Sequence, residues 1–200
     1  MKGMISRGLN GLNGWRIKNS LSAIRLIRSI RGLSFLILAL NLPVFAKCPA
    51  SDGVTLVVRA PVGDLRVDTT GRDAVEVEVD SSLIQVVEKC GPNVIEFFSN
   101  TPDPTETRGT ITWKIVAPKA ANLDLVAYGG GITVGDVDAD VILRTTGGSV
   151  TTGAIKGQAA IITQGGSIKS TRIGGNAELR STGGTLEVGN VGGNAEFQTT

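Results

Sequence analysis

The chain of 200 residues contains no histidine. That absence removes the usual general acid–base side chain and the commonest metal ligand. Serine–histidine–aspartate and cysteine–histidine catalysis are both excluded. Aromatic residues are scarce, at 4%. There are only two cysteines, which without histidine cannot build a common zinc site. Seven prolines and no Gly-X-Y period exclude collagen. Acidic residues are missing before Asp52. Glycine, by contrast, reaches 27 residues, about twice its usual share.

The charge is segregated. Residues 1–46 carry Lys2, Arg7, Arg16, Lys18, Arg25, Arg28 and Arg31 and no acid. An apolar run follows from Leu33 to Ala46, broken only by Ser34, Asn41 and Pro43. It is shorter than the roughly 20 residues a spanning helix needs. A basic flank, a short apolar stretch, Pro43 and then small residues in the pattern Val44-x-Ala46 read as a secretory signal cleaved after Ala46. The long flank places the true start near Met4 or later. An uncleaved signal anchor is the alternative. A lipid-anchored Cys48 fits poorly, because Lys47 precedes it.

Without residues 1–46, 13 basic residues face 18 acidic ones, a net charge of −5. That argues against a nucleic-acid partner. The remaining 154 residues suffice for one core. Cys48 and Cys90 both lie in the exported part, where a disulfide persists. Two free thiols are the alternative.

The strongest pattern is a repeat. Glycine pairs fall at Gly129-Gly130, Gly147-Gly148, Gly165-Gly166 and Gly183-Gly184, spaced by 18 residues. Their flanks repeat too: Thr145-Thr146-Gly147-Gly148-Ser149, Thr163-Gln164-Gly165-Gly166-Ser167 and Ser181-Thr182-Gly183-Gly184-Thr185. Within each copy apolar and polar residues alternate, which predicts strands. Leu143, Ile161, Leu179 and Phe197 form one column; Val137, Ile155, Ile173 and Val191 form another. Ala159, Ala177 and Ala195 follow Val141 in a third, and Gly157, Gly175 and Gly193 follow Ala139 in a fourth. Like residues at a fixed interval predict stacked coils, each burying the next. The expected class is all-β, a solenoid-like stack with an 18-residue repeat. The glycine pairs are expected to turn the chain with positive φ. Gln158, Asn176 and Asn194 fall in one outward column and predict an amide ladder.

Residues 47–122 read as a less regular β cap with the first coils, and 123–200 as the repeats. Strands are expected at 54–59, 64–68, 74–80, 84–90, 94–99, 111–117 and 123–127, with a polar loop over 100–109. No segment after Ala46 reads as a helix. A separate small sandwich is the alternative for the first half.

Trp113-Lys114-Ile115-Val116-Ala117-Pro118 through Leu123-Asp124-Leu125 leads into repeats of the form Gly-Gly-Ser-Val-x-x-Gly, preceded by Gly63-Asp64-Leu65-Arg66-Val67 and Val75-Glu76-Val77-Glu78-Val79. This resembles the bacterial putative-adhesin family of β-strand-repeat proteins, over about residues 52–200. The resemblance implies a right-handed β-solenoid-like stack and an envelope or surface location. It supplies no catalytic residues, and it does not account for the Cys48/Cys90 pair.

Candidate chemistry is sparse. Asp136, Asp138 and Asp140 alternate in a calcium-like manner, but the next copy has Ala154, Lys156 and Gln158, so a solvated face is the alternative. Gly129-Gly130-Gly131 lacks the Lys-Ser/Thr of a phosphate loop. Asp138, Asp140 and Arg144 share a strand face, as in polysaccharide lyases, without a marked cleft. Arg144 and Arg180 share a column, with Ile162 between them. Trp113 and Tyr128 are carbohydrate platforms or packing residues. The expected function is non-catalytic and needs no cofactor: an exported cell-envelope protein of adhesin-like type. It binds an envelope glycan or protein through a column of Gln158, Asn176, Asn194, Arg144 and Arg180. A periplasmic sensor or regulatory module is the alternative, and a polysaccharide-active enzyme ranks third. The membrane is met only through the signal segment. The chain reaches Thr200 with no capping unit, which implies either further repeats or pairing of the last coil with a second copy.

Overall fold

The computed structural model describes residues 15–17, 44–70, 73–81, 84–99 and 111–200. The loop expected over 100–109 and most of the leader lie outside them. Every element among the described residues is a strand, so the all-β expectation holds, and none is a helix able to cross a membrane.

The first half contains β1 (Trp15–Ile17), β2 (Val44–Pro49), β3 (Thr55–Ala60), β4 (Asp64–Thr69), β5 (Ala74–Val79), β6 (Val86–Cys90), β7 (Val94–Ser99) and β8 (Thr112–Ala117). Then come β9 (Asn122–Ala127), β10 (Ile132–Val134), β11 (Val141–Thr145), β12 (Val150–Ile155), β13 (Ala159–Thr163), β14 (Ile168–Ile173), β15 (Ala177–Ser181), β16 (Leu186–Val191) and β17 (Ala195–Thr199). The strands expected after residue 50 are all present, within two residues at each end. Burial alternates along most of them, most plainly in β5, where Val75, Val77 and Val79 are buried and Glu76 and Glu78 face out.

Two open sheets share one core. The first has the order β1-β6-β7-β3-β9-β11-β13-β15-β17, the second β16-β14-β12-β10-β4-β8-β5-β2. From β9 onward the chain alternates between them, and each strand pairs in parallel with its counterpart 18 residues away. Leu125, Leu143, Ile161, Leu179 and Phe197 adjoin in the first sheet. Ile132, Val150, Ile168 and Leu186 adjoin in the second. The first half continues the same columns: Leu56 adjoins Leu123, and Trp113 and Ile132 flank Leu65. One end is antiparallel, through β1–β6 and β6–β7 in one sheet and β2–β5 and β5–β8 in the other. There Cys48 of β2 and Cys90 of β6 form the expected disulfide and tie the two sheets together.

β2 begins at Val44, so it crosses the point after Ala46 where the leader is expected to end. Val44, Ala46 and Cys48 are buried against Val79, Val77 and Val75.

The glycine pairs are where expected, but the reason differs. The positive-φ glycines among the described residues are Gly53 and Gly63. The corner glycines lie outside that region of φ, and crowding between neighbouring repeats is what requires the second glycine of each pair. A Cβ at Gly130 would collide with the carbonyl of Gly63, one at Gly166 with that of Gly148, and one at Gly184 with that of Gly166. Each corner is also fastened by a buried hydroxyl. Thr145, Thr163 and Ser181 donate to the carbonyls of Gly130, Gly148 and Gly166 at 2.6, 2.8 and 2.8 Å. The same hydroxyls accept the N–H of Gly148, Gly166 and Gly184 at 3.3, 3.2 and 3.0 Å. Polar side chains can be buried here because each serves as both donor and acceptor.

Candidate surface-binding site

The site is the outer face of the first sheet, where three side-chain columns run across four coils. Strand alternation sends every second residue outward, and the parallel register aligns like positions about 4.8 Å apart. The outer columns are Ile142, Ala160, Glu178, Glu196 and Arg144, Ile162, Arg180, Gln198. The corner column just before the strands is Asp140, Gln158, Asn176, Asn194.

The corner column forms part of the expected ladder. Asn176 Nδ2 donates to Gln158 Oε1 at 3.4 Å, and Asn176 Oδ1 accepts the backbone N–H of Asn194 at 2.9 Å. The ladder extends one step back through aspartate, since Asp140 Oδ1 accepts the N–H of Gln158 at 2.8 Å. Asp140 and Asn176 therefore satisfy corner N–H groups, whereas the exposed Gln158 side chain bonds only the Asn176 amide.

Arg144 and Arg180 lie one coil apart from Ile162 on either side, as expected from the repeat. Neither is an isolated cation. Arg180 pairs with Glu178 and Glu196, both at 2.9 Å. Arg144 stands 3.7 Å from Asp124, which Arg59 also holds, at 2.8 Å. The amide column and the arginine column are separated by the Ile142–Ala160–Glu178–Glu196 column, which the repeat pattern alone did not single out.

That middle column makes the relief. Ala160 is a short side chain between Ile142 and Glu178 across the strands, and between Gln158 and Ile162 along β13. The result is a groove of about 730 Å³ over β11, β13, β15 and β17, bounded by the amide column on one side and by Ile142, Ala160, Glu178 and Glu196 on the other. Ile142 is 37% exposed in it. The signal was legible in hindsight as an alanine interrupting large side chains in an outward column, but only once cross-strand neighbours are known.

The other candidates resolve differently. Trp113 is fully buried, and its indole N–H donates to the Val62 carbonyl at 3.1 Å, so it packs the core and is no sugar platform. Tyr128 is exposed, away from the groove. Asp136 Oδ1 accepts the N–H of Ala154 at 2.8 Å, and Asp138 pairs with Lys156 at 2.9 Å. The three aspartates thus face three different partners, and no group of three or more acidic or sulfur ligands converges among the described residues. Asp138, Asp140 and Arg144, which share a strand face in the sequence pattern, engage Lys156, the N–H of Gln158 and Asp124 respectively.

No family model matches the chain, and no curated protein does. Solved structures to which it is similar include a putative adhesin from Bacteroides fragilis, at 10% identity and TM-score 0.36, covering 80% of this chain and 97% of that one. Another is a putative cell adhesion protein from Clostridium sporogenes, at 8% identity and TM-score 0.36, covering 80% and 100%. A third is a putative lipid binding protein from Parabacteroides distasonis, at 11% identity and TM-score 0.33, covering 79% and 96%. At these identities and TM-scores the likeness carries no argument about ligand or role. The descriptions of the first two structures name the same kind of protein that the sequence resembles.

Proposed function

We propose that this chain is an exported envelope protein of adhesin-like type, non-catalytic, that binds through the outer face of its first sheet. The carrying observation is the in-register grid of amide, mixed and arginine columns around one groove. A surface that repeats the same groups every coil suits many weak, parallel contacts, whose sum gives strong attachment. The parallel 18-residue register supports a right-handed solenoid-like stack in the repeat half. The basic, acid-free start and the disulfide support export to the periplasm or cell surface. The exposed edge of β17, with Phe197 50% exposed, supports association with a second copy.

Ile142, exposed within the grid, favours a second reading, a sensor or regulatory module that binds an envelope protein. The full chain, expressed with its leader, separates the readings. Incubation with an envelope fraction and with a glycan array is expected to give glycan or surface retention without turnover. A single protein partner with no glycan signal would favour the module. Retention on neither would sink both.

A further inference from the structure

The groove has a definite chemistry. Ala160 lines it, and its single methyl leaves room beside the aliphatic body of the cross-strand neighbour Ile142. Around that notch stand Gln158, Asn176 and Glu178. Gln158 Oε1 is taken up by Asn176, while its Nε2–H donors have no partner among the described residues. Glu178 offers carboxylate oxygen, with one ion pair to Arg180. A small apolar hollow, an amide donor and a carboxylate acceptor thus lie next to one another.

We propose, resting on the surface-binding reading above, that the groove takes a chain of N-acetylated amino sugars, with an acetamido group at Ala160. The acetamido methyl fits the hollow against Ile142. Its carbonyl accepts from the Gln158 amide, and its N–H donates to Glu178; an amide side chain provides donors and a carboxylate provides acceptors for that pair. The sugar hydroxyls meet the amides of Asn176 and Asn194. The chain lies along the groove, across the strands, so successive sugars meet successive coils. Charge points the same way. Asp140, Glu178 and Glu196 line the groove, and Arg180 is held by two of them, so a polyanionic chain is repelled.

The test uses the full exported chain and three soluble hexamers: N-acetylglucosamine, glucosamine and glucose, titrated by calorimetry. The acetylated hexamer is expected to bind at least tenfold more tightly than the other two. Ala160→Phe, which fills the hollow, is expected to abolish that preference. Gln158→Leu is expected to weaken it while leaving the melting temperature unchanged, which covers the case where Ala160→Phe unfolds the chain. Equal affinity for all three hexamers would overturn the proposal, as would full binding by both variants. Failure of all three hexamers with continued retention on an envelope fraction would overturn this assignment and leave the surface-binding reading standing. Capture of a protein alone would also overturn it.

Discussion

The Thr163 hydroxyl sits 2.8 Å from the carbonyl oxygen of Gly148, one coil earlier, and donates to it. The Thr163 hydroxyl oxygen in turn accepts the N–H of Gly166 at 3.2 Å, so one side chain joins two glycine corners. Thr163 is 1% exposed. Replacing it with the near-isosteric Val strands a buried carbonyl and a buried N–H. Loss of such partners costs about 1–3 kcal/mol. Thr163→Val is therefore expected to lower stability by that amount, measured by urea unfolding. Thr163→Ser is expected to cost far less, because Ser181 makes the same bonds one coil on. Equal losses would show that the methyl, and not the hydroxyl, holds the corner.

The glycine pairs offer a sharper contrast. A Cβ at Gly166 would collide with the Gly148 carbonyl, whereas one at Gly129 would meet nothing within 4 Å. Forcing an extra carbon into a tight backbone contact costs about 1–3 kcal/mol. Gly166→Ala is expected to lose that much in thermal or denaturant unfolding, and Gly129→Ala is expected to be nearly neutral. If both behaved alike, a requirement of the turn itself would be at work and not the approach of neighbouring coils.

The disulfide acts at the other end of the molecule. Cys48 and Cys90 are separated by 42 residues and link β2 to β6 across the two sheets. Closing a loop of that length restricts the unfolded chain and is worth ~3–4 kcal/mol in the chain-entropy model. The Cys48→Ser, Cys90→Ser double variant is expected to unfold at lower denaturant with an m-value close to that of the parent under reducing conditions. Reduction of the parent is expected to give the same midpoint as the variant. An unchanged midpoint would mean that packing alone holds β2 and β6 together.

Much of this architecture was readable beforehand, because most strands bury one face. Period-two alternation in Val75–Val79 or Leu123–Ala127 has one physical cause and one reading. The 18-residue columns were readable for a similar reason, since residues 18 apart sit side by side on neighbouring parallel strands. Three features were not. The hydroxyl clasp of Thr145, Thr163 and Ser181 depends on a partner 15 residues earlier, in another coil. The notch at Ala160 depends on Ile142 and Glu178, neighbours only across strands. The strand at Val44–Pro49 was hidden because small and apolar residues suit a leader's end as well as a buried edge strand. Glycine was located correctly and explained wrongly, because crowding and positive φ select the same residue.

The inward and outward assignment itself can be put at risk with two adjacent positions. Leu179 is fully buried, between Ile161 and Phe197 in the first sheet. Arg180, the next residue, lies outward and pairs with Glu178 and Glu196. Leu179→Asp would place a carboxylate among aliphatic side chains with no cation beside it. Burying an unpaired charge is among the few single changes expected to cost about 4 kcal/mol or more, a large part of a domain's total stability. Arg180→Gln removes only partly exposed ion pairs, worth about 0–1 kcal/mol each. Circular dichroism is expected to show an unfolded or aggregated Leu179→Asp chain and a native-like Arg180→Gln chain. The surface readout should move in the opposite sense. Arg180→Gln frees Glu178 and Glu196, makes the groove more acidic, and is expected to weaken retention of any anionic ligand further while leaving the fold intact. Unfolding by Arg180→Gln with tolerance of Leu179→Asp would reverse the two faces and displace the groove from the surface altogether.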